Sequence, residues 1–332
     1  MSGSLQELVA QLRANPGLFA KRDIQLAASI LPAAGTGAFL QDATAAVRNG
    51  DDAAAIPDGD GYMLVAAEGM LGDFVRRDPF FAGFSAVMVN VNDILAMGGK
   101  PYAIVDVLFS GDRQRDEQLL AGLQAGSQRF GVPIVGGHTG RSSSGETALA
   151  VAIVGRARRL ITSFDAAPGD LLLVAVDTRG NYRADSDYYD AASSATTGPL
   201  LSQARVLPQL AEGGLVRAGK DVSMSSFAGT LVMLCETSGV GASMDLLRLP
   251  RPADVSLARW LRTFPSFAFL LAAPAAVAAD VCQAFERVGV CCSVAGHFGD
   301  GPEVCLSMGE QRATLWDPSR ERLTGFGGFS SN

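Results

Sequence analysis

Several chemical resources are scarce in this 332-residue chain. Histidine occurs twice, as His138 and His297, too few for a histidine-rich transition-metal centre. The five cysteines (Cys235, Cys282, Cys291, Cys292 and Cys305) fall in the last third, and none has Cys-x-x-Cys spacing. Neither a zinc site nor a disulfide framework follows, and reduced thiols point to a cytoplasmic protein. Lysine occurs only as Lys21, Lys100 and Lys220, so most positive charge is arginine. Acids outnumber bases 34 to 27, a net charge of -7, which excludes a general nucleic-acid binder relying on phosphate neutralisation. Long apolar runs are missing too. The first residues carry Glu7 and Arg13 in an amphipathic pattern, unlike a secretion signal. The uncharged stretch Thr263–Ala279 is broken by Pro265 and Pro274 and is short for a membrane span. It reads as strand then helix, with Pro274 at the first helical position. No membrane partner is expected.

What the chain does have is a core. With 48% hydrophobic and 18% charged residues it is globular, and its length calls for about two domains. Strands are expected at Gly61–Ala67, Tyr102–Phe109, Val132–Val135 and Thr147–Gly155, with helices at Phe80–Met97 and Leu119–Phe130, the latter ended by Gly131. After a turn-rich segment, Arg156–Asp170, the second half mixes strand and helix again: Leu171–Val176, a helix through Leu231–Thr237, then Ala268–Ala273, Ala275–Val288 and Val290–Ala295. The fold class is α/β (α+β), with domains at 1–160 and 161–332. Thr178–Lys220 has weak periodicity and reads as a long functional loop; the tail Gly325–Asn332 reads as frayed.

Asp93 is the only charged residue between Phe80 and Gly99. A carboxylate on an apolar helix is costly to bury unless paired, hydrogen-bonded or bound to a cation. It either shares a polar edge with Asn90 or serves as a ligand. Asp51 and Asp52 follow Gly50 and repel one another, consistent with a solvated turn or a hard cation nearby. Glu68 ends a strand, either in water or beside that cation. Asp51, Asp52, Glu68 and Asp93 together suit one or two magnesium ions. Gly136-Gly-His138-Thr139 follows a strand, and its paired glycines admit an anion close to backbone amides, although a tight turn has the same sequence. Neither a P-loop nor a complete Gly-x-Gly-x-x-Gly occurs. Lys220-Asp221-Val-Ser223-Met-Ser225-Ser226 precedes a helical run, as capping residues or as contacts to an acceptor or phosphate.

The ordered series Gly50-Asp-Asp-Ala-Ala54, Val91-Asn-Asp-Ile-Leu-Ala-Met-Gly-Gly-Lys-Pro101, Gly136-Gly-His-Thr139, Ala167-Pro-Gly-Asp170, Asp221-Val-Ser223 and Thr237-Ser-Gly-Val-Gly-Ala-Ser-Met-Asp245 resembles the AIR synthase-related superfamily. The resemblance spans roughly Asn49 to Gly299. It implies an N-terminal α/β domain that dimerises and binds ATP at or near the dimer interface, magnesium on acidic side chains, and a C-terminal acceptor side. Asp51 and Asp93 would be catalytic; Asp51, Asp52, Glu68 and Asp93 would hold metal. Asn92, Gly136, Gly137, His138 and Thr139 would contact ATP, while Arg183, Asp185, Lys220 and Asp221 would hold a small-molecule acceptor.

Departures narrow the choice of relative. No cysteine precedes Cys235, unlike selenophosphate synthetases with their early Cys or selenocysteine. The chain ends Ser-Ser-Asn332 rather than in the cysteine of the carbamoyl dehydratase. The acceptor-side acids of thiamine-monophosphate kinase are replaced at Asp221-Val-Ser-Met-Ser225 and Phe264–Leu270. The expected function is ATP- and magnesium-dependent phosphotransfer to, or activation of, a small molecule. The alternatives are a nucleotide-binding scaffold dimer with reduced catalysis and a thiamine-monophosphate kinase-like activity.

Overall fold

The computed structural model describes residues 4–38, 40, 47–70, 72–142, 146–184 and 186–327. A five-stranded sheet organises the first half, in the order Ala54–Asp58, Gly61–Met70, Ala148–Ala157, Lys100–Ser110, Ile134–Arg141. All its pairs are antiparallel except the last, which is parallel. Period-2 alternation gives the sheet two unlike faces. Leu64, Ala66, Ile104, Leu108, Val151 and Ile153 point under the helices and are buried. Val105, Val107, Phe109 and Val154 point the other way and are exposed.

The helices Pro79–Ala96 and Arg113–Phe130 cover the buried face. They approach so closely that side chains have no room: a Cβ on Gly83 would lie 2.1 Å from the Leu119 carbonyl oxygen, and one on Gly122 would lie 1.9 Å from that of Phe80. Pro79–Ala96 starts where sequence logic puts it, with Asp78 capping the Phe81 amide at 3.2 Å and Pro79 just inside. It is long and apolar enough to cross a membrane, yet it is buried within the protein.

The second half builds a seven-stranded sheet in the order Ala218–Asp221, Ala268–Ala273, Leu171–Val176, Cys291–Gly299, Gly241–Asp245, Val304–Met308, Gln311–Trp316. Its central strands read as continuous apolar runs because both faces are covered. Leu172, Val174, Val176, Leu270 and Ala272 pack into one core with helix Ser226–Ser238. Leu173, Ala175, Phe269 and Leu271 pack into another that also contains Ile94, Leu95 and Met97 of the first half. The two sheets therefore share a core through the Pro79–Ala96 helix.

Several expectations shift. The N-terminal helix Leu5–Arg13, opened by a Ser4/Glu7 capping box, buries Leu5, Val9 and Leu12 in the core of the second sheet although they precede residue 160. The strand expected at Val132–Val135 runs instead over Ile134–Arg141, because parallel pairing with Lys100–Ser110 carries its glycines into the ladder. Thr178–Lys220 is no open loop. It contains short strands Asn181–Tyr182 and Tyr188–Asp190, helices Thr197–Ala204 and Val206–Glu212, and the edge strand Ala218–Asp221. Pro274 precedes a short 3-10 turn as its cap rather than occupying its first position. Residues 328–332 of the tail Gly325–Asn332 lie outside the described residues; at its start, buried Glu236 accepts hydrogen bonds from the backbone amides of Leu323, Thr324 and Gly325 at 2.9–3.1 Å and from the Thr324 hydroxyl at 3.0 Å.

The glycine crossing makes a direct prediction. Gly122→Ala should lower the unfolding free energy by about 3 kcal/mol, measured by urea denaturation, because the new methyl meets backbone that must move. An unchanged midpoint would mean that the helices do not cross this closely.

Candidate functional site

One stripe of the Pro79–Ala96 helix carries Phe81, Ser85, Met88, Val89 and Asp93, spaced by helical turns, and forms the floor of a cavity of about 450 Å³ between the two halves. At one end several acids meet. Asp51 and Asp52 arrive from the turn before Ala54–Asp58, Asp93 from the last turns of the helix, and Asp221 from the end of Ala218–Asp221 in the second sheet. Carboxylate oxygens of Asp52, Asp93 and Asp221 all lie within 4.8 Å of one another.

Each acid is held differently. Lys220, buried beside Asp221, pairs with Asp52, whose other oxygen accepts the Asp221 amide at 3.2 Å. Asp51 is turned aside: its carboxylate accepts the Ser163 amide at 2.9 Å, the Ser163 hydroxyl at 2.6 Å and the Asp52 amide at 2.9 Å. Glu68 has the strand parity of buried Leu64 and Ala66 and reaches the same region from an exposed position at the rim. Behind the floor, buried Asn92 donates to the Ser266 carbonyl at 2.9 Å and ties the helix to the second half.

Two ammoniums, Lys220 and Lys21, do not neutralise so many carboxylates. Burial, followed by repulsion from Asp221, Glu68 and Asp52, holds Asp93 well above the usual carboxylate range. Burial and Asp52 push Asp221 up to about 8, and burial with Asp52 pushes Asp51 up to about 6. Glu68 is raised by the surrounding protein, with Lys21 opposing the rise. Burial alone would lower the Lys220 ammonium, but Asp52, Asp51 and Asp221 hold it above its ordinary value. Hard, crowded oxygen ligands with surplus negative charge are the donor set that magnesium takes, together with waters and phosphate oxygens.

The family signature described as AIR synthase related protein, N-terminal domain, matches residues 50–157, and that of the corresponding C-terminal domain matches residues 181–308. An uncharacterised Synechocystis protein is 44% identical over 98% of this chain and 100% of its own length. The chain belongs to the AIR synthase-related family. A second uncharacterised relative, from Methanocaldococcus jannaschii, is 32% identical over 74% of this chain and 76% of its own. Among solved structures, T. maritima PurL complexed with ATP superimposes with a TM-score of 0.68 at 17% identity, over 89% of this chain and 48% of PurL. The likeness is one of fold, and this chain spans about half of PurL.

In this AIR synthase-related protein the expected site residues divide into groups. The carboxylates of Asp52 and Asp93 lie together, and that of Asp221, expected on the acceptor side, lies with them. Asp51 and Glu68 line the same cavity but stand outside that trio. Lys220 is a counter-charge to Asp52 rather than an open acceptor contact. Arg183 pairs with Asp78 and lies over the Phe81 ring at 4.4 Å, so its guanidinium bridges the two halves. Asp185 lies outside the described residues. Gly136, Gly137, His138 and Thr139 sit on the edge strand of the first sheet, exposed and away from the cavity lining. Ser225 precedes the Ser226–Ser238 helix without a side-chain cap, and Ser226 adopts a left-handed φ of 58°.

Sequence reasoning missed Lys21, Ser163 and Phe326. Lys21 reaches the cavity from the N-terminal helical segment, and Ser163 lies in the turn between the sheets. Phe326 comes from the tail held by Glu236 and packs on Gly50, whose φ of 104° and lack of Cβ permit the contact. None has a local sequence signal, because long-range packing brings each to the site.

The raised acids set a pH dependence. Asp51 and Asp221 release protons near 3.8 in the unfolded chain but near 6 and 8 when folded. The folded state thus binds more protons across this window, so their contribution to stability is complete below about pH 4 and declines as pH rises through 6 and 8. In EDTA the melting temperature should fall from about pH 5 to about pH 8.5, with magnesium raising it more at the higher pH. A metal-free protein that becomes more stable over that interval would contradict this electrostatic picture.

Proposed function

We propose that this protein is a homodimeric, ATP- and magnesium-dependent enzyme that phosphorylates or otherwise activates a small-molecule acceptor bound between its two halves. The observation that carries this reading is the convergence of Asp52, Asp93 and Asp221, from both halves, on one cavity. Family membership and the fold shared with a nucleotide-bound PurL support it. Asp52, Asp93 and Asp221 would hold magnesium, which neutralises phosphate charge during transfer.

The chain's own groups supply positioning. Ser163 fixes Asp51 in one orientation, Lys220 fixes Asp52, and Asn92 locks the catalytic helix to the second half. Phosphoryl transfer depends mainly on such alignment and charge stabilisation, so no covalent nucleophile is required.

Dimerisation would use the open face of the first sheet. Val105, Val107 and Phe109 are exposed there, and His138, paired in register with Val107, stands beside them. An apolar face of this kind suits a second copy, and a seam along it would bring Gly136–Thr139 to a subunit boundary where nucleotide can bind. Five free cysteines fit a cytoplasmic setting.

Asp93→Asn should remain folded and lose magnesium-dependent ATP affinity by more than about tenfold in isothermal titration. Unaltered affinity in the folded variant would remove Asp93 from the site. Val107→Arg should convert a dimer to a monomer in sedimentation velocity and weaken ATP binding with it; a dimer that persists places the interface elsewhere. Phosphorus NMR with Mg-ATP and a panel of acceptors, thiamine monophosphate included, separates an enzyme from a nucleotide-binding scaffold: only the former gives a phosphorylated or adenylylated product.

A further inference from the structure

The cavity is chemically polarised along the helix that floors it. Phe81 and Asp93 both line it, twelve residues apart, which at helical rise separates them by about 18 Å. The Asp93 end holds the acids. The Phe81 end holds a contiguous aromatic group: Phe74 meets Phe81 edge-on at 5.8 Å, stacks on Tyr188 at 4.8 Å, and Tyr188 meets Phe264 at 5.7 Å. Met70, Met88 and Val89 complete this apolar wall.

The cations among the described lining residues are Lys21 and Lys220, and both act on the acids. Lys220 pairs with Asp52, and Lys21 bears on Glu68 and Asp221. Arg183, near the aromatic end, is already paired with Asp78 and stacked on Phe81. Arg77 is exposed outside the lining and acts on Tyr188 from there. An anionic group pressed against the apolar wall would lose its hydration without gaining a partner in the described lining, which is strongly unfavourable. A planar or apolar group would instead gain dispersion and aromatic contact on a preformed wall.

We propose that the acceptor is an elongated molecule with an aromatic or apolar body and no phosphate at its distal end. The body lies against Phe74, Tyr188 and Phe264, and the reacting terminus points to the acids. This rests on the ATP- and magnesium-dependent reading and specifies its substrate class. The adenine ring of ATP is the competing occupant of the apolar end, and the experiment separates the two.

The probe is 6-phenylhexan-1-ol, compared with the same alcohol bearing a phosphate on its ring, each titrated into the full-length protein by calorimetry. The neutral alcohol should bind at least about tenfold more tightly than its ring phosphate. Mg-AMPPCP should leave its affinity intact or improve it. Phe74→Leu and Tyr188→Leu should each weaken the alcohol by about fivefold or more while leaving Mg-AMPPCP affinity unchanged. Equal or tighter binding of the ring phosphate, which needs no variant to measure, would overturn the assignment. Displacement of the alcohol by Mg-AMPPCP would also overturn it and give the apolar end to adenine. Binding of the alcohol without any binding of Mg-AMPPCP would uphold the apolar site while removing the nucleotide reading beneath it.

Discussion

Mutual repulsion among Asp51, Asp52, Asp93 and Asp221, balanced inside the protein by Lys220, is the constraint around which this molecule is arranged. Carboxylates brought this close stay charged only with compensation, and in the metal-free protein several take up protons instead. Everything that holds them together must therefore be rigid. The Pro79–Ala96 helix supplies that rigidity. It is buried almost throughout, pressed against Arg113–Phe130 through glycines, and locked to the second half through Asn92 and the Asp78–Arg183 pair.

The same helix joins architecture to chemistry. Its covered face completes the core beneath the first sheet and continues into the second, so the two halves cannot separate without opening a shared apolar core. Its remaining stripe runs from aromatic to acidic surroundings along one cavity. A site made at the junction of two sheets draws ligands from both: Asp52 and Asp93 come from the first half, Asp221 and Lys220 from the second. The tail held by Glu236 then closes the acidic end by placing Phe326 on Gly50.

Much of this was legible locally. Asp93 stood out as a lone charge in an apolar run, and Leu171–Val176 and Ala268–Ala273 read as strands, which the fold buries on both faces. Partners distant in sequence were not legible. Asp221 read either as capping material or as an acceptor-side contact, but edge-strand pairing with Ala268–Ala273 turns it toward the acids. Ser163 and Lys21 carry no pattern of their own, and only the packed fold brings them in. The glycines of Gly136–Gly140 read as a loop and proved to be strand, because pairing partners decide strand structure more than composition does.

The central claim is that Asp52, Asp93 and Asp221 form one metal-binding unit for a nucleotide, and a crystal structure with Mg-AMPPCP tests it most directly. The account predicts magnesium within coordination distance, about 2.1 Å, of oxygens from at least two of these three carboxylates, with phosphate oxygens completing its shell. Nucleotide bound elsewhere, with Lys220 still paired to Asp52 and no ion among the acids, would contradict it.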